Sequence, residues 1–256
     1  MEFFNNDIKL LNWFRGFCDA EANFQVYPKK RLLKSGEVSK YNIGYGFHIS
    51  LHKREENLIK LLHNNLNIGV VNISDSRNDA RLAINDKKGI IKICNYFDEY
   101  PLYTLNQNIR FNLLKEFIYD DISEFNSLEL FNNYKDEKLL LIKNKLINTS
   151  INSKDLDNWI IGFINGEGCF YLKNNKCNFI IEHTDKYALE LIKTRLEFGP
   201  KVSERSLRLN STKDKIRKPT FQLAISSKKD INTLIDFLDN NNNISLQGYK
   251  HIEYLD

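Results

Sequence analysis

Two glutamates at equivalent positions of an internal repeat are the residues best able to do chemistry. The segment NWFRGFCDAEANF at residues 12–24 matches NWIIGFINGEGCF at residues 158–170 without gaps, at a spacing of 146 residues. The shared residues include Glu21 and Glu167, together with both tryptophans of the chain. Two carboxylates that meet in a half-buried site repel each other unless one is protonated or a cation binds between them. Hard oxygen ligands of this kind suit Mg²⁺, which shares its coordination with a phosphate.

Each repeated segment is predicted to be a helix that ends at its glutamate. Asp7 and Asp155 are suitable N-cap residues before the two apolar stretches. Each helix is apolar on more than one side, which is typical of a helix buried between two layers. The small residues Gly16 and Gly162 would let the two helices pack closely, and both carboxylates would then lie at the same end of the pair.

The remaining periodicity predicts an α+β fold in which each half reads αββαββα. We expect an N-terminal half over residues 1–123, a polar linker over 124–154 that is helical at 135–147, and a C-terminal half over 155–256. The first half is predicted to contain strands at 24–27 and 41–52 around a basic loop at 28–40, a helix at 55–66, strands at 70–74 and 80–84, and a helix at 87–96. The second half is predicted to contain a hairpin at 169–183, a helix at 186–198, strands at 201–208 and 220–226, and a helix at 230–238.

The motif resembles that of the LAGLIDADG homing endonucleases, with FRGFCDAEA at residues 14–22 and IIGFINGEG at residues 160–168. The resemblance implies a single-chain pseudo-dimer whose two saddle-shaped antiparallel sheets lie in the major groove of double-stranded DNA. It also implies that Mg²⁺, held by Glu21, Glu167 and the nearby backbone of Ala20 and Gly166, supports hydrolysis of one phosphodiester on each strand. Mn²⁺ is expected to substitute for Mg²⁺, and Ca²⁺ to allow binding without cleavage.

The chain departs from the family pattern at three places. Ala22 replaces the last glycine of the first motif, and Asn165 replaces the first acid of the second. In this family a lysine after the last helix of each half supports catalysis. The segment at 246–254 has Lys250 in that slot, whereas the segment at 100–111 has Asn106 there. Because a cation near the scissile phosphate stabilises developing charge, the loss of one lysine is expected to weaken cleavage of one strand.

The strand-like stretches carry many side chains able to contact bases or phosphates. Two sheets with strands of roughly ten residues would cover on the order of 20 base pairs, which predicts a long, imperfectly palindromic site. The candidates in the first half are Gln25, Tyr27, Lys29, Lys30, Arg31, Lys34, Tyr41, Asn42, Tyr45, Ser74, Ser76, Arg77, Asn78 and Arg81. The candidates in the second half are Tyr171, Lys173, Asn174, Lys176, Asn178, Lys201, Ser203, Arg205, Arg208, Asn210, Lys213, Lys215, Arg217, Lys218 and Gln222.

Composition restricts the class of protein. With 256 residues, 42% hydrophobic residues and a net charge of +4, the chain is long and apolar enough to exclude a disordered or fibrous protein. It lacks a long apolar run and a secretory signal pattern, so we expect a soluble protein that is not exported and has no membrane partner. The four cysteines form no CxxC pair, which argues against a thiolate zinc site. Abundant Asn, Ile and Lys indicate an A/T-rich gene. Together with the setting that the family resemblance implies, this favours an organelle, above all the mitochondrion, over another intracellular setting.

Three functions remain open on the sequence. The favoured one is a monomeric endonuclease specific for a DNA sequence. The second is an intron RNA maturase, which would bind its own folded intron RNA with weak or no nuclease activity, and Asn106 keeps this alternative open. The third is a DNA-binding regulator with a decayed active site, which the presence of both acids disfavours.

Overall fold

The structure is α+β, with two antiparallel sheets and helices packed on them, and it confirms the predicted fold class. The computed structural model describes residues 3–120, 122–146, 156–205 and 219–256. The first repeat contains α1 (Ile8–Glu21), β1 (Ala22–Leu32), β2 (Val38–His52), α2 (Glu56–Leu66), β3 (Val70–Ser74), β4 (Asp79–Ile84), α3 (Lys87–Glu99), α4 (Leu105–Tyr119), β5 (Glu124–Phe125) and α5 (Leu128–Leu146). The second contains α6 (Leu156–Glu167), β6 (Gly168–Lys173), β7 (Lys176–His183), α7 (Lys186–Arg195), β8 (Ser203–Arg205), β9 (Thr220–Ile225), α8 (Lys228–Leu238) and α9 (Tyr249–Leu255).

The two sheets repeat the same strand order. The first runs β1-β2-β4-β3, with β5 also paired to β2, and the second runs β6-β7-β9-β8. In both, the motif helix continues without a break into an edge strand, so Ala22 pairs with Ile49 and Gly168 pairs with Ile181. The residue after each glutamate is therefore the first residue of its sheet.

The first hairpin is longer than predicted. We expected a basic loop at residues 28–40, but β1 continues through Leu32 and β2 begins at Val38. Pro28 pairs with Ile43 inside this ladder. Proline is tolerated there because β1 is an edge strand, which needs ladder hydrogen bonds on one side only.

The helix predicted at 135–147 begins at Leu128 instead, where the Leu130 amide donates to Ser127 Oγ at 3.2 Å. Phe131 and Ile142 of α5 are buried in a cluster with Phe117 of α4. Helix α5 therefore packs against α4, because several of its apolar residues recur at helical spacing and lie on one side of the helix. Neither α5 nor any other helix in the described ranges is long and apolar enough to cross a bilayer.

By their contacts the described residues divide into two compact units. One unit contains the 3-10 turn Phe3–Asn6 and the elements from β1 to α5, and the other contains α1 and the elements from α6 to α9. The core of the first unit is aromatic, since the ring of Phe24 lies 5.3 Å from Phe47, 5.4 Å from Phe97 and 5.7 Å from Phe111 between centroids. The second unit buries α6 together with the inner residues of β7 and β9.

Within the second unit, α1 and α6 pack backbone to backbone. A Cβ atom on Gly16 would lie 2.0 Å from the carbonyl oxygen of Trp159, and one on Gly162 would lie 1.9 Å from that of Trp13. These distances leave no room for any side chain at either position. The predicted close packing of the two helices is confirmed.

The N-cap predicted for α1 is present. The backbone amides of Lys9 and Leu10 donate to Asp7 Oδ1 at 2.9 and 3.3 Å. This caps the first turn and begins the helix where the apolar pattern begins. The matching N-cap, Asp155, lies outside the described residues.

Replacing Gly16 with alanine is expected to destabilise the fold, because its methyl group would force two helix backbones apart. Overpacking of this kind costs about 1–3 kcal/mol or more, or several degrees of Tm in a chain of this size. The control is Gly199→Ala, where the new Cβ would lie 3.8 Å from Asp230 Oδ2. Thermal unfolding of both variants tests the contact, and equal Tm values would contradict it.

Candidate active site

The two glutamates lie together at the ends of α1 and α6. A Cβ atom on Gly166 would lie 2.5 Å from Ala20 Cβ, 3.0 Å from Glu21 Cγ and 3.5 Å from Glu21 Oε1. The Glu21 carboxylate is thus beside the residue that precedes Glu167. The repeat brings its two acids and the two small residues before them to one place.

Electrostatics make this place unusual for a carboxylate. Burial in the first place, and then the charges of Glu21 and Glu182, raise the pKa of Glu167 to about 8, while the charge of Lys250 opposes the shift. A carboxyl group with such a pKa is largely protonated at neutral pH unless a cation stabilises its charge. The donors are hard oxygens, so the residues present fit a divalent cation of the Mg²⁺ type.

Lys250 reaches this region from α9. Its Nζ donates to the carbonyl oxygen of Gly168 at 2.6 Å and lies 3.0 Å from Glu253 Oε2. Only 14% of its side chain is exposed. The ammonium is therefore held at the residue that follows Glu167.

Asn165 fixes the turn that leads into α9. Its Oδ1 accepts from the Gln247 amide at 2.6 Å, and its Nδ2 donates to the Gln247 carbonyl oxygen at 3.2 Å. Gly248 follows with a φ of +63°, where a side chain would be strained. An aspartate at 165 could accept the first bond but could not donate the second. This departure from the motif therefore anchors the segment that carries Lys250.

The asparagine also breaks the symmetry of the helix pair. Trp159 Nε1 donates to Asp19 Oδ2 at 2.8 Å. The equivalent donor, Trp13 Nε1, is buried and finds no acceptor among the described residues, because Asn165 at the position equivalent to Asp19 bonds Gln247 instead. Within the described helix pair, Trp13 thus lacks the cross-helix hydrogen bond that Trp159 makes, and Asn165 instead bonds the backbone of Gln247 in the turn before α9.

In the first unit, the contact equivalent to that of Lys250 is made by Gln107. Its Nε2 donates to the carbonyl oxygen of Ala22, the residue after Glu21, at 2.6 Å, and the side chain is buried. Gln107, one residue after Asn106, therefore makes the hydrogen bond that matches that of Lys250, and the catalytic role of the lysine slot stays a prediction.

Aromatic packing supports this alignment of the two repeats. Phe111 contacts Phe24, and Tyr254 contacts Phe170, at 5.7 and 5.5 Å between ring centroids. Phe111 and Tyr254 are 143 residues apart, as are Gln107 and Lys250. Ile109 and Ile252 are also 143 residues apart, so the sequence itself supports this alignment.

One face of the first sheet, here called the first polar face, carries half of the nucleic-acid candidates proposed for that repeat. Strand alternation puts odd-numbered residues of β1 and even-numbered residues of β2 on it. Tyr27 and Lys29 demonstrate this, because a Cβ on Gly44 would lie 2.5 Å from atoms of both side chains. The predicted residues on this face are Gln25, Tyr27, Lys29, Arg31, Asn42, Ser74 and Arg81.

Three of the predicted residues point the other way. Lys30, Tyr41 and Tyr45 alternate with the residues of the first polar face and share the side of Val26 and Ile43, which pack against the α4–α5 cluster. The register therefore puts these three residues on the side opposite to the first polar face, and their contact with DNA stays a prediction.

The remaining candidates of the first repeat lie in turns. Lys34 is in the exposed turn between β1 and β2. In the β3–β4 turn, Arg77 makes two bonds with Asp79 at 3.1 and 3.3 Å, and Asn78 Nδ2 lies 2.8 Å from His52 Nε2. Ser76 Oγ is 3.2 Å from Ser74 Oγ. Exposed pairs of this kind are weak and can exchange for a phosphate.

The second sheet has a matching polar face, here called the second polar face. Arg205 and Thr220 both bond Glu182 there, each at 2.7 Å. The predicted residues on this face are Tyr171, Lys173, Lys176, Asn178, Ser203, Arg205 and Gln222. Asn174 is in the β6–β7 turn and Lys201 precedes β8. The candidates Arg208, Asn210, Lys213, Lys215, Arg217 and Lys218 lie outside the described residues.

Comparison with known proteins decides the family. A model of the LAGLIDADG endonuclease family matches residues 14–118 and 160–256, which are most of the chain. The chain belongs to this family. It is 27% identical, over 94% of its length, to the probable intron-encoded endonuclease aI3 of Kluyveromyces lactis and, equally, to the probable intron-encoded endonuclease Cox1-I1b of Schizosaccharomyces pombe. The chain spans 63% and 61% of the length of these two relatives.

Solved LAGLIDADG structures share the fold. I-LtrWI, a LAGLIDADG homing endonuclease bound to target DNA, matches 97% of this chain and 88% of its own with a TM-score of 0.69 and 22% identity. I-SmaMI, bound to an uncleaved DNA target in the presence of calcium ions, matches 96% of this chain and 88% of its own with a TM-score of 0.64 and 19% identity. The fold implied by the motif is therefore confirmed.

Sequence reasoning missed several polar residues of this LAGLIDADG chain. On the first polar face, His48 Nδ1 contacts Arg81 Nη2, and His48 Nε2 lies 2.7 Å from Asn85 Oδ1. Burial lowers the pKa of His48, so the ring is neutral and can accept from the arginine. Glu182, near Glu167, was missed as well. His48 and Glu182 could have been found from the strand register, which puts them on the polar faces. Asn85 could not, because no local sequence pattern links it to His48.

Stability in the absence of metal is expected to fall with rising pH because of Glu167. Its pKa is about 8 in the folded protein against an ordinary value of 4.5, so the folded state holds an extra proton between these values. The free energy of unfolding should therefore be highest below the lower value and decrease until pH exceeds the upper one, by roughly 1.4 kcal/mol per unit of pKa difference.

The measurement is Tm against pH in a chelator for the wild type and Glu167→Gln. The variant should have a flatter profile between pH 5 and 8, and a divalent cation should raise the wild-type Tm most at high pH. Parallel profiles of the two proteins would contradict the assignment.

Proposed function

We propose that the chain is an endonuclease that cuts both strands of double-stranded DNA at a specific site and depends on a divalent metal, Mg²⁺ in the first place. The observation that carries the proposal is the pair Glu21 and Glu167, adjacent at the helix ends with a raised pKa at Glu167. The names of its relatives, intron-encoded endonucleases, support the same activity.

The chain's own residues have separate tasks in this proposal. Glu21 and Glu167 would hold the metal, with backbone groups of Ala20 and Gly166 beside them. The bound cation would supply Lewis-acid and water-activating chemistry. The ammonium of Lys250, fixed by the Gly168 carbonyl, would offset the negative charge that develops on the phosphate.

The two polar faces would bind the DNA. Arg and Lys suit guanine edges and phosphates, Asn and Gln suit adenine, and rigid strands keep such side chains in register. The guanidinium of Arg81 is held by His48, which favours a defined base contact over a mobile phosphate contact. I-LtrWI bound to its target DNA is a precedent within the fold.

We also propose a monomeric state and a mitochondrial setting. Both acids come from one chain, so a second copy is not needed to complete the pair. The uncharacterised mitochondrial protein RF1 of Saccharomyces cerevisiae, 27% identical over 65% of this chain, supports the organelle.

Replacing Glu21 or Glu167 with glutamine is expected to abolish cleavage while binding persists, because the amide keeps the shape but loses the anionic ligand. Sites are first selected from a randomised duplex library with Mg²⁺ and, in parallel, with Ca²⁺. Cleavage of the selected site and its affinity are then measured for each variant. We expect a loss of at least about a hundred-fold in rate with little change in affinity.

A variant that still cuts both strands would contradict the assignment of the acids. Duplex binding without cutting by the wild type in either metal would contradict the nuclease. Tight metal-independent binding to a folded intron transcript would then favour the maturase.

Two neighbouring lysines test the polar face. Lys29 lies on the first polar face and Lys30 on the opposite side of the same strand. Lys29→Ala should weaken binding of the selected duplex and lower the salt dependence by about one counterion, whereas Lys30→Ala should change neither. Affinity measured at several salt concentrations distinguishes them, and equal effects of both substitutions would contradict the assigned face.

A further inference from the structure

The two repeats place different chemical groups at one equivalent position. Lys250 Nζ donates to the carbonyl oxygen of Gly168, and Gln107 Nε2 donates to that of Ala22, each at 2.6 Å. Ala22 follows Glu21 directly, and Gly168 follows Glu167 directly. The hydrogen bond is therefore present in both repeats, but of the two side chains that donate it only Lys250 carries a positive charge.

Lys250 and Gln107 differ in charge, whereas the hydrogen bond that each donates to the backbone has the same length. The ammonium of Lys250 lowers the pKa of Glu167 against the effects of burial and of two neighbouring acids. An ammonium also stabilises the charge that develops on a phosphate during hydrolysis, and a neutral amide does so more weakly. Gln107 can hold its backbone partner, but it cannot supply this charge.

Another cation of the first unit is already engaged. Arg81, on the first polar face, contacts His48 Nδ1 through its Nη2. His48 pairs in register with Asn23, and its other ring nitrogen is held by Asn85. The guanidinium of Arg81 is thus held in a network with His48 and Asn85. It is a different group from Gln107, which bonds the Ala22 carbonyl.

We propose that the two strands are cut in a fixed order and at unequal rates, with the phosphate served by Lys250 hydrolysed first and that served by Gln107 second. The inference rests on the proposed nuclease function. At each phosphate, the oxygen of a water molecule bonds to phosphorus as the water gives up one proton, the bond from phosphorus to the leaving oxygen breaks, and that leaving oxygen takes up one proton. Nicked duplex is consequently an intermediate that accumulates, and Gln107 is the positioning residue that makes the second step slow.

The experiment uses the full chain and a supercoiled plasmid that carries one selected site, with strand-specific readout of each cut. In the wild type, the two rate constants should differ by about ten-fold or more. Gln107→Lys should accelerate the slow strand and bring the ratio close to one. Asn106→Lys adds the same charge one residue away and should leave the ratio unchanged.

Lys250→Gln provides a second test that does not depend on burying a new charge at residue 107. It should slow only the fast strand, so that both strands are cut slowly and at similar rates. The Tm of every variant is measured beside the rates. If Gln107→Lys is unfolded, the wild-type ratio and Lys250→Gln decide alone.

The outcomes separate the inference from the function on which it rests. Equal wild-type rates, or a folded Gln107→Lys with an unchanged ratio, would overturn the inference and leave the endonuclease intact. No cutting of either strand under any metal would overturn the proposed function and the inference with it.

Discussion

Two helix backbones touch in this protein because neither carries a side chain at the point of contact. Gly16 faces the Trp159 carbonyl and Gly162 faces the Trp13 carbonyl, each at a distance that excludes even a methyl group. This reciprocal contact holds α1 and α6 side by side. Their last residues, Glu21 and Glu167, are therefore brought close to each other. The cost of placing two acids together is visible in the raised pKa of Glu167. Helix packing thus creates the electrostatic problem that a divalent cation would solve.

Much of this arrangement could be predicted because it depends on local patterns. The ungapped repeat, the Asp7 cap and the small residues in the motif specify two similar helices that must pack closely, and the hairpins follow from alternation. Other features depend on tertiary neighbours instead. One is the edge position of β1, which lets the strand contain Pro28, and another is the packing of Phe131 against α4. Extended strands and the early start of α5 were missed for that reason.

The site was predictable in its acids and less so in its supporting groups. Glu21 and Glu167 follow from the motif, and Lys250 follows from the resemblance of residues 246–254 to the family. Gln107 required the aromatic contacts of Phe111 and Tyr254 to set the alignment. Lys29 and Lys30 point to opposite sides of the first sheet because one position along a strand reverses the direction of a side chain, and this could not be foreseen while residues 28–40 were expected to form a loop. Networks such as His48 with Asn85 join residues distant in sequence and leave no local signature.

The exchange made at Asn165 has a consequence for the history of the chain. A protein built from two copies of the second repeat would have asparagine at both equivalent positions, so neither indole would find the carboxylate that Trp159 now uses. Two copies of the first repeat would keep both indole bonds but would lack the amide that anchors Gln247. The halves have therefore ceased to be interchangeable duplicates and have become complementary parts, so that a change in one is constrained by the residues of the other.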